Sequence, residues 1–247
     1  MKILEFSNTD TNLDLISRPI TVGKENNLVN SYIDYRKSIF KSTNNHNLAI
    51  FKEIKIGNTF PDIVFVDFNP ENYENWNSIR QSLSRNEYRI IYFLYANNGC
   101  EQLADVVKLL NLDWKTVATS FEKLYDAKLI VRKDSIWKLK NQKTVTCKNI
   151  QAIEAKYYNW DRVLQQSILN KSFASESYIL SSVKKDFNPD VLQKFQNFGI
   201  GIYLEKDNQF KQISKAENAK LPINYNSIFH FAKLVIFFYS YKYYSTN

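Results

Sequence analysis

The sequence predicts an α/β protein with a mostly helical segment set into its middle. Strands alternate with helices after residue 149, two apolar strands meet at a turn before residue 68, and helical periodicity dominates between them. Glycine and proline number five each in 247 residues, too few for a turn-rich all-β sandwich or a disordered chain.

The elements follow in order. "NNLVNSYIDYRKSIFKS" places Val29, Tyr32, Ile33, Arg36 and Ile39 at helical spacing. "NLAIFKEIKIG" reads as a strand, Gly57-Asn58 as a turn, and "FPDIVFVDF" as a nearly continuous apolar strand, so the pair makes an antiparallel hairpin. Residues 69–86 are polar and open on Asn-Pro. "EYRIIYFLYAN" and "EQLADVVKLL" then present apolar helical faces, the second through Leu103, Val106, Val107 and Leu110. "NLDWKTVATSFEKLYDAKLI" opens with Asp113 as an N-cap and turns Val117, Phe121 and Leu124 inward. "KLIVRKDSIWKLK" is a short hairpin around Asp134-Ser135. From Asn149, "NIQAIEAKYY", "ESYILSSV" and "GIGIYLEK" are strands separated by helices at "NWDRVLQQSILNKSFA" and "NPDVLQKFQNF". That alternation implies parallel pairing through crossovers.

A net charge of +8 and a pI near 9.2 favour an acidic partner, nucleic acid before anionic membrane. Cys100 and Cys147 lack C-x-x-C partners, and His46 and His230 stand alone, which excludes a Cys/His zinc site and a disulfide scaffold. "MKILEFSNTD" has no apolar signal core, and "SIFHFAKLVIFFYSYKYY" is too short and mixed for a membrane span. A cytoplasmic protein with no membrane partner is therefore expected. That aromatic segment is read as core packing, with a dimer face as the alternative.

The order helix, helix, tight turn, helix, hairpin over residues 86–141 resembles a winged helix-turn-helix, carried by "LADVVKLLNLDWKTVATSFEKLYDAKLI". The resemblance implies that the helix after Asp113 is a recognition helix offering Trp114, Lys115, Thr116, Thr119, Ser120 and Lys123 to DNA. Glu122 and Asp126 make that face less than uniformly basic, and such modules also contact proteins.

"IQAIEAKYY" raises a chemical question. Alternation puts Glu154 and Lys156 on one face with Ile150 and Ala152, a covered face on which charges need a partner, ion or water. Glu53-Ile54-Lys55 repeats the spacing. Asp62 discriminates between the copies: if "DIVFV" and "IQAIEA" are antiparallel neighbours, Asp62 meets Glu154 and Lys156, whereas Glu53 finds no strand carboxylate. Asp67 faces away from Asp62 and is expected to end its strand.

These residues, "PD" at Pro61-Asp62 and "EAK" at Glu154–Lys156, resemble the PD-(D/E)xK nuclease family on its helix-strand-strand-strand-helix-strand core. The resemblance covers about residues 28–68 and 148–205 and implies a restriction-endonuclease-like mixed sheet flanked by helices, with the winged helix as an insertion of about eighty residues. It implies two nuclease-core parts at 1–68 and 148–215, the inserted domain at 69–147, and an aromatic C-terminal segment at 216–247. By the same likeness Asp62, Glu154 and the carbonyl of Ala155 bind Mg²⁺, or Mn²⁺ in its place, and Lys156 positions water and stabilises developing charge. Gln166, with Gln165 as second choice, orients water, Lys156 or backbone. The implied function is a Mg²⁺-dependent DNA endonuclease in restriction, defence or DNA processing. Placing a DNA-reading insertion at the hairpin end away from the site favours a homodimer. The alternatives are a non-catalytic DNA-binding regulator or assembly subunit that keeps the fold, and a protein-binding subunit.

Overall fold

The computed structural model describes residues 3–6, 16–19, 22–43, 45–69, 78–141, 147–182, 188–207, 209–219 and 231. The chain divides into two compact units. The first comprises Met1–Phe68 and Lys148–Ser227, the second Asn69–Cys147 and Ile228–Asn247. The proposed packing of the aromatic C-terminal segment lies outside the described residues, apart from residues 216–219 and Phe231.

The first unit is a mixed α/β layer structure. Its elements are β1 (Ile3–Phe6), α1 (Lys24–Ile39), β2 (Asn47–Lys52) and β3 (Ile63–Phe68) before the second unit. The larger sheet is completed after it by β6 (Cys147–Ala155), α6 (Trp160–Asn170), β7 (Glu176–Ser182), α7 (Pro189–Asn197), β8 (Gly201–Lys206) and β9 (Gln209–Ser214). The seven strands lie in the order β1-β2-β3-β6-β7-β8-β9. β2 and β3 are antiparallel, with Lys52 opposite Ile63, while β6, β7 and β8 run parallel as the strand-helix alternation predicts. Two strands lack a clear periodic signature: β1 adds parallel to β2 at one edge, and β9 folds back on β8 at the other.

Helices cover both faces because both faces are apolar. On one side α1 buries Leu28, Val29, Tyr32 and Ile33 against Leu48, Ile50, Phe65, Ile153 and Leu180. On the other, Val163 and Leu164 of α6 pack with Ile179, Phe195 and Ile202. Continuous burial along β2 and β3 is what a strand covered on both faces requires.

The predicted first strand "NLAIFKEIKIG" does not run straight. Regular pairing stops at Lys52, and Glu53 adopts a left-handed conformation (φ 52°). Ile54 and Ile56 make only isolated bridges, the latter closing the turn through Thr59. Asp67 also departs from its expected role. It pairs within β3 opposite Leu48 and holds His46 at 3.3 Å, so neither residue stands alone.

The second unit contains α2 (Ser78–Gln81), α3 (Arg85–Ala96), α4 (Leu103–Leu110), α5 (Trp114–Asp126) and the hairpin β4 (Ile130–Lys133) and β5 (Ile136–Leu139). Ser84 and Glu87 form a capping box that starts α3, and Asp113 caps α5 by accepting from the Thr116 N–H at 2.8 Å. Ile90, Leu94, Val106, Val117, Phe121, Leu124 and Ile130 make its core. Asp134 and Ser135 both have positive φ (52° and 64°), the backbone that a two-residue turn of the primed type needs.

Candidate active site

The site is built at the end of the sheet where β3 begins and β6 finishes. Asp62 immediately precedes β3, and its Oδ2 accepts from the Ala155 N–H at 2.6 Å. β3 and β6 are neighbours, and the Asp62–Ala155 hydrogen bond puts the start of the one beside the end of the other.

Glu154 is the most deeply buried acid among the described residues. It is 0 % exposed, and its Oε1 accepts from Asn170 Nδ2 of α6 at 2.8 Å. Its Oε2 is buried with no hydrogen-bond partner among the described residues. Burial first, and then the charge of Asp62, pushes the Glu154 pKa well above the ordinary carboxylate range. Burial also raises Asp62, against the pull of the Ala155 N–H and Lys156.

Lys156 falls one residue past β6, and its Nζ donates to Glu25 Oε2 at 2.5 Å. Burial pulls its pKa down, but the Glu25 hydrogen bond and the charges of Asp62, Glu25 and Glu154 outweigh it, so the ammonium stays charged at neutral pH. Glu25 sits in the first turn of α1 and lines an open cleft with Val22, Lys24, Asn26, Tyr157 and Tyr158.

Two residues that the sequence reading passed over belong here. The first is Glu53, expected to meet no strand carboxylate. The bend after β2 instead sets it opposite Asp62: its N–H donates to the Asp62 carbonyl at 3.2 Å, and its carboxyl lies within the field of the Asp62 charge. Burial and then Asp62 raise its pKa to about 7, although Arg18 Nε lies 3.4 Å from its carboxylate. The signal lay in the hairpin register, since Lys52 opposite Ile63 puts residue 53 beside residue 62.

The second is Asn170, fully buried, which donates to Glu154 and accepts from Thr59 Oγ1 at 3.1 Å. Gln166 lies one turn earlier on the same face of α6 and is half-buried, with Oε1 unpartnered among the described residues. Gln165 is exposed. Of the amides on this helix, Asn170 is the one that contacts the glutamate. Asn170→Ala leaves Glu154 Oε1 unpaired, which costs about 1–3 kcal/mol. Loss of such a supporting hydrogen bond lowers metal affinity about 10- to 100-fold. Urea unfolding and Mn²⁺ titration of the folded variant measure the two effects.

The donor set suits a hard divalent cation: a fully buried carboxylate with an oxygen left over and a half-buried one beside it. No group of three His, Cys, Asp or Glu side chains able to hold a metal occurs among the described residues. A Mg²⁺ ion there would therefore complete its shell with backbone carbonyl, water and substrate oxygens, which is its usual habit.

The six groups expected on the recognition helix are distributed unevenly. Trp114 is 57 % exposed and Lys115 is exposed. Ser120 does not lie on that face: it is buried and its Oγ donates to Glu87 Oε1 at 2.8 Å, because the glutamate of the α3 capping box sits beneath α5. Thr116 Oγ1 donates to Asp113, Thr119 Oγ1 to the Lys115 carbonyl, and Lys123 Nζ to the Ser82 carbonyl at 2.6 Å.

No family model, curated protein or solved structure matches the chain. No helix among the described residues is long and apolar enough to cross a membrane.

Proposed function

We propose that this chain is a Mg²⁺-dependent DNA endonuclease of the PD-(D/E)xK kind, with a winged helix-turn-helix unit inserted between its second and third core strands. Glu154 carries the proposal. A fully buried carboxylate with one unpartnered oxygen, beside a second, half-buried carboxylate, is unfavourable in its ionised form unless a cation completes it. The element order α1-β2-β3-β6-α6-β7 supports it, being the helix-strand-strand-strand-helix-strand order of that family. So does the meeting of Asp62, Glu154 and Lys156 at one strand end.

Asp62 and Glu154, with the Ala155 carbonyl, are the residues that would hold Mg²⁺ or Mn²⁺. The bound ion supplies polarisation of a phosphate oxygen and a nucleophilic water at neutral pH. Lys156, charged and held by Glu25 at 2.5 Å, can exchange that carboxylate for a phosphate oxygen gaining negative charge. Gln166 Oε1 can accept from a water and so fix its orientation. Glu53, with a pKa near 7, can hold a proton on the Asp62 side at neutral pH. Cutting both strands of a duplex needs two such sites, which a homodimer provides. Restriction, defence and DNA processing are the roles this chemistry serves.

Supercoiled plasmid with MgCl₂ tests the proposal. Wild type nicks or linearises it, and Lys156→Ala, still folded, does so about 10²–10³-fold more slowly. Equal cutting by the variant removes Lys156 from the chemistry. Binding by wild type without cutting in any divalent ion favours the non-catalytic DNA-binding subunit.

A further inference from the structure

We infer that the second unit holds nucleic acid through the phosphate backbone on its β4–β5 hairpin, independently of sequence, and that α5 is not its reading helix. The inference rests on the DNA-directed function proposed above and names the surface and the mode of contact.

Charge is segregated within this unit. Residues 101–126, which carry α4 and α5, hold five acidic and three basic residues, a net −2. Residues 128–140 hold Lys128, Arg132, Lys133, Lys138 and Lys140 against Asp134 alone, a net +4 in thirteen residues. Half of the chain's +8 therefore sits on one hairpin. A polyanion approaching α5 meets Glu122 and Asp126, both exposed, with Lys115 as the exposed cation of the helix.

Hydrogen bonding points the same way. Thr116, Thr119, Ser120 and Lys123 all donate inside the unit, so α5 keeps few donors for base edges. What it presents instead is large and apolar: Trp114 and Tyr125, the latter 55 % exposed.

The hairpin is also built to hold its charges in place. Register sets Val131 opposite Lys138 and Lys133 opposite Ile136, so Lys133, Lys138 and the following Lys140 share the face opposite buried Ile130 and Leu139. Cys100 bonds both ways to Trp137, each at 2.8 Å, which fixes β5 from its other side. Gly99 makes that approach possible, since a Cβ there would lie 2.6 Å from the Trp137 carbonyl. Arg132 lies over the Trp137 ring at 5.7 Å, and that ring packs edge-on against Phe121 and Tyr125. Lysines on a fixed strand face contact phosphates, which position a duplex without reading it.

The test compares full-length proteins by salt-dependent binding to two duplexes of unrelated sequence. Each phosphate neutralised contributes about −0.9 to the slope of log Kobs against log salt. Lys133→Glu/Lys138→Glu/Lys140→Glu is expected to flatten the slope by about 3 on both duplexes. The milder Lys→Gln triple variant flattens it in the same direction, which guards against an effect of charge reversal on folding. Trp114→Ala/Lys115→Glu is expected to lose at most one phosphate's worth of slope, about 0.9, on either duplex. The inference is overturned if the α5 variant loses binding and the hairpin variants keep it, or if wild type strongly prefers one duplex. It is also overturned if the hairpin lysines are needed for anionic phosphatidylserine vesicles but not for DNA. Stabilisation by Mg²⁺, which depends on Asp62 and Glu154, is unaffected by the hairpin variants. Loss of the hairpin effect with that response intact thus fails this inference and leaves the nuclease proposal standing.

Discussion

Glu154→Gln is expected to abolish Mg²⁺-dependent cleavage and, in metal-free buffer near neutral pH, to make the protein more stable. The two effects share one cause. The glutamate is fully buried, Asn170 satisfies one of its oxygens, and the other has no partner among the described residues. Gln keeps the shape and can keep the Asn170 bond while removing the charge. A buried amide costs less than a buried uncompensated carboxylate, so the metal-free variant gains about 1 kcal/mol or more. The same exchange takes a hard anionic ligand from the ion. Several kcal/mol of charge stabilisation in the transition state corresponds to about 10³-fold in rate. Urea denaturation in EDTA and a plasmid assay on the same preparation measure both. A variant less stable than wild type and still active would mean that Glu154 is a structural residue.

Metal-free stability is expected to fall with rising pH, and Mg²⁺ to restore it. Asp62, Glu53 and Glu154 all have folded-state pKa values raised, first by burial. Between the unfolded and the folded pKa the native state binds more protons than the unfolded chain, so stability declines as pH rises. The decline begins in the ordinary carboxylate range, near pH 4, and for Glu53 runs to about 7. Mg²⁺ requires the ionised carboxylates, so its effect grows over the same interval. At 100 times Kd it adds about 2.7 kcal/mol, which for a unit of this size raises Tm by about 5–10 °C. Thermal melts in EDTA and in MgCl₂ from about pH 5 to about pH 8 are expected to diverge with pH. Parallel curves would place the raised carboxylates outside any metal site.

Much of this arrangement is legible in the sequence because periodicity and burial coincide. Continuous apolar runs give β2, β3, β6 and β7, and 3.6-residue patterns give α1 and α3 to α6. Asp62 and Glu154 are legible as a pair only once their strands are taken as antiparallel neighbours, which neither the hairpin nor the crossover pattern supplies. The edges are not: β1 and β9 lie at the margins of the sheet, and β9 is largely exposed, so no apolar face marks it. Glu53 is hidden by a backbone event, a left-handed residue that turns an apparent strand into a bend. Asn170 is hidden by geometry, since Gln166 and Asn170 occupy one helical face and only the depth of α6 against β6 decides which reaches Glu154. Ser120 looks like a surface serine until the capping glutamate of α3 proves to lie under it. For Asn170 and Ser120 the missing information is three-dimensional depth, which a one-dimensional pattern does not carry.

The central claim is that Asp62 and Glu154 are the protein ligands of a divalent cation. Mn²⁺-soaked crystals with anomalous diffraction test it most directly. One strong peak is expected within coordination distance of an Asp62 carboxylate oxygen and Glu154 Oε2, absent from Glu154→Gln crystals soaked identically. Fully occupied Mn²⁺ elsewhere on the protein, with this pair of carboxylates left bare, would contradict it.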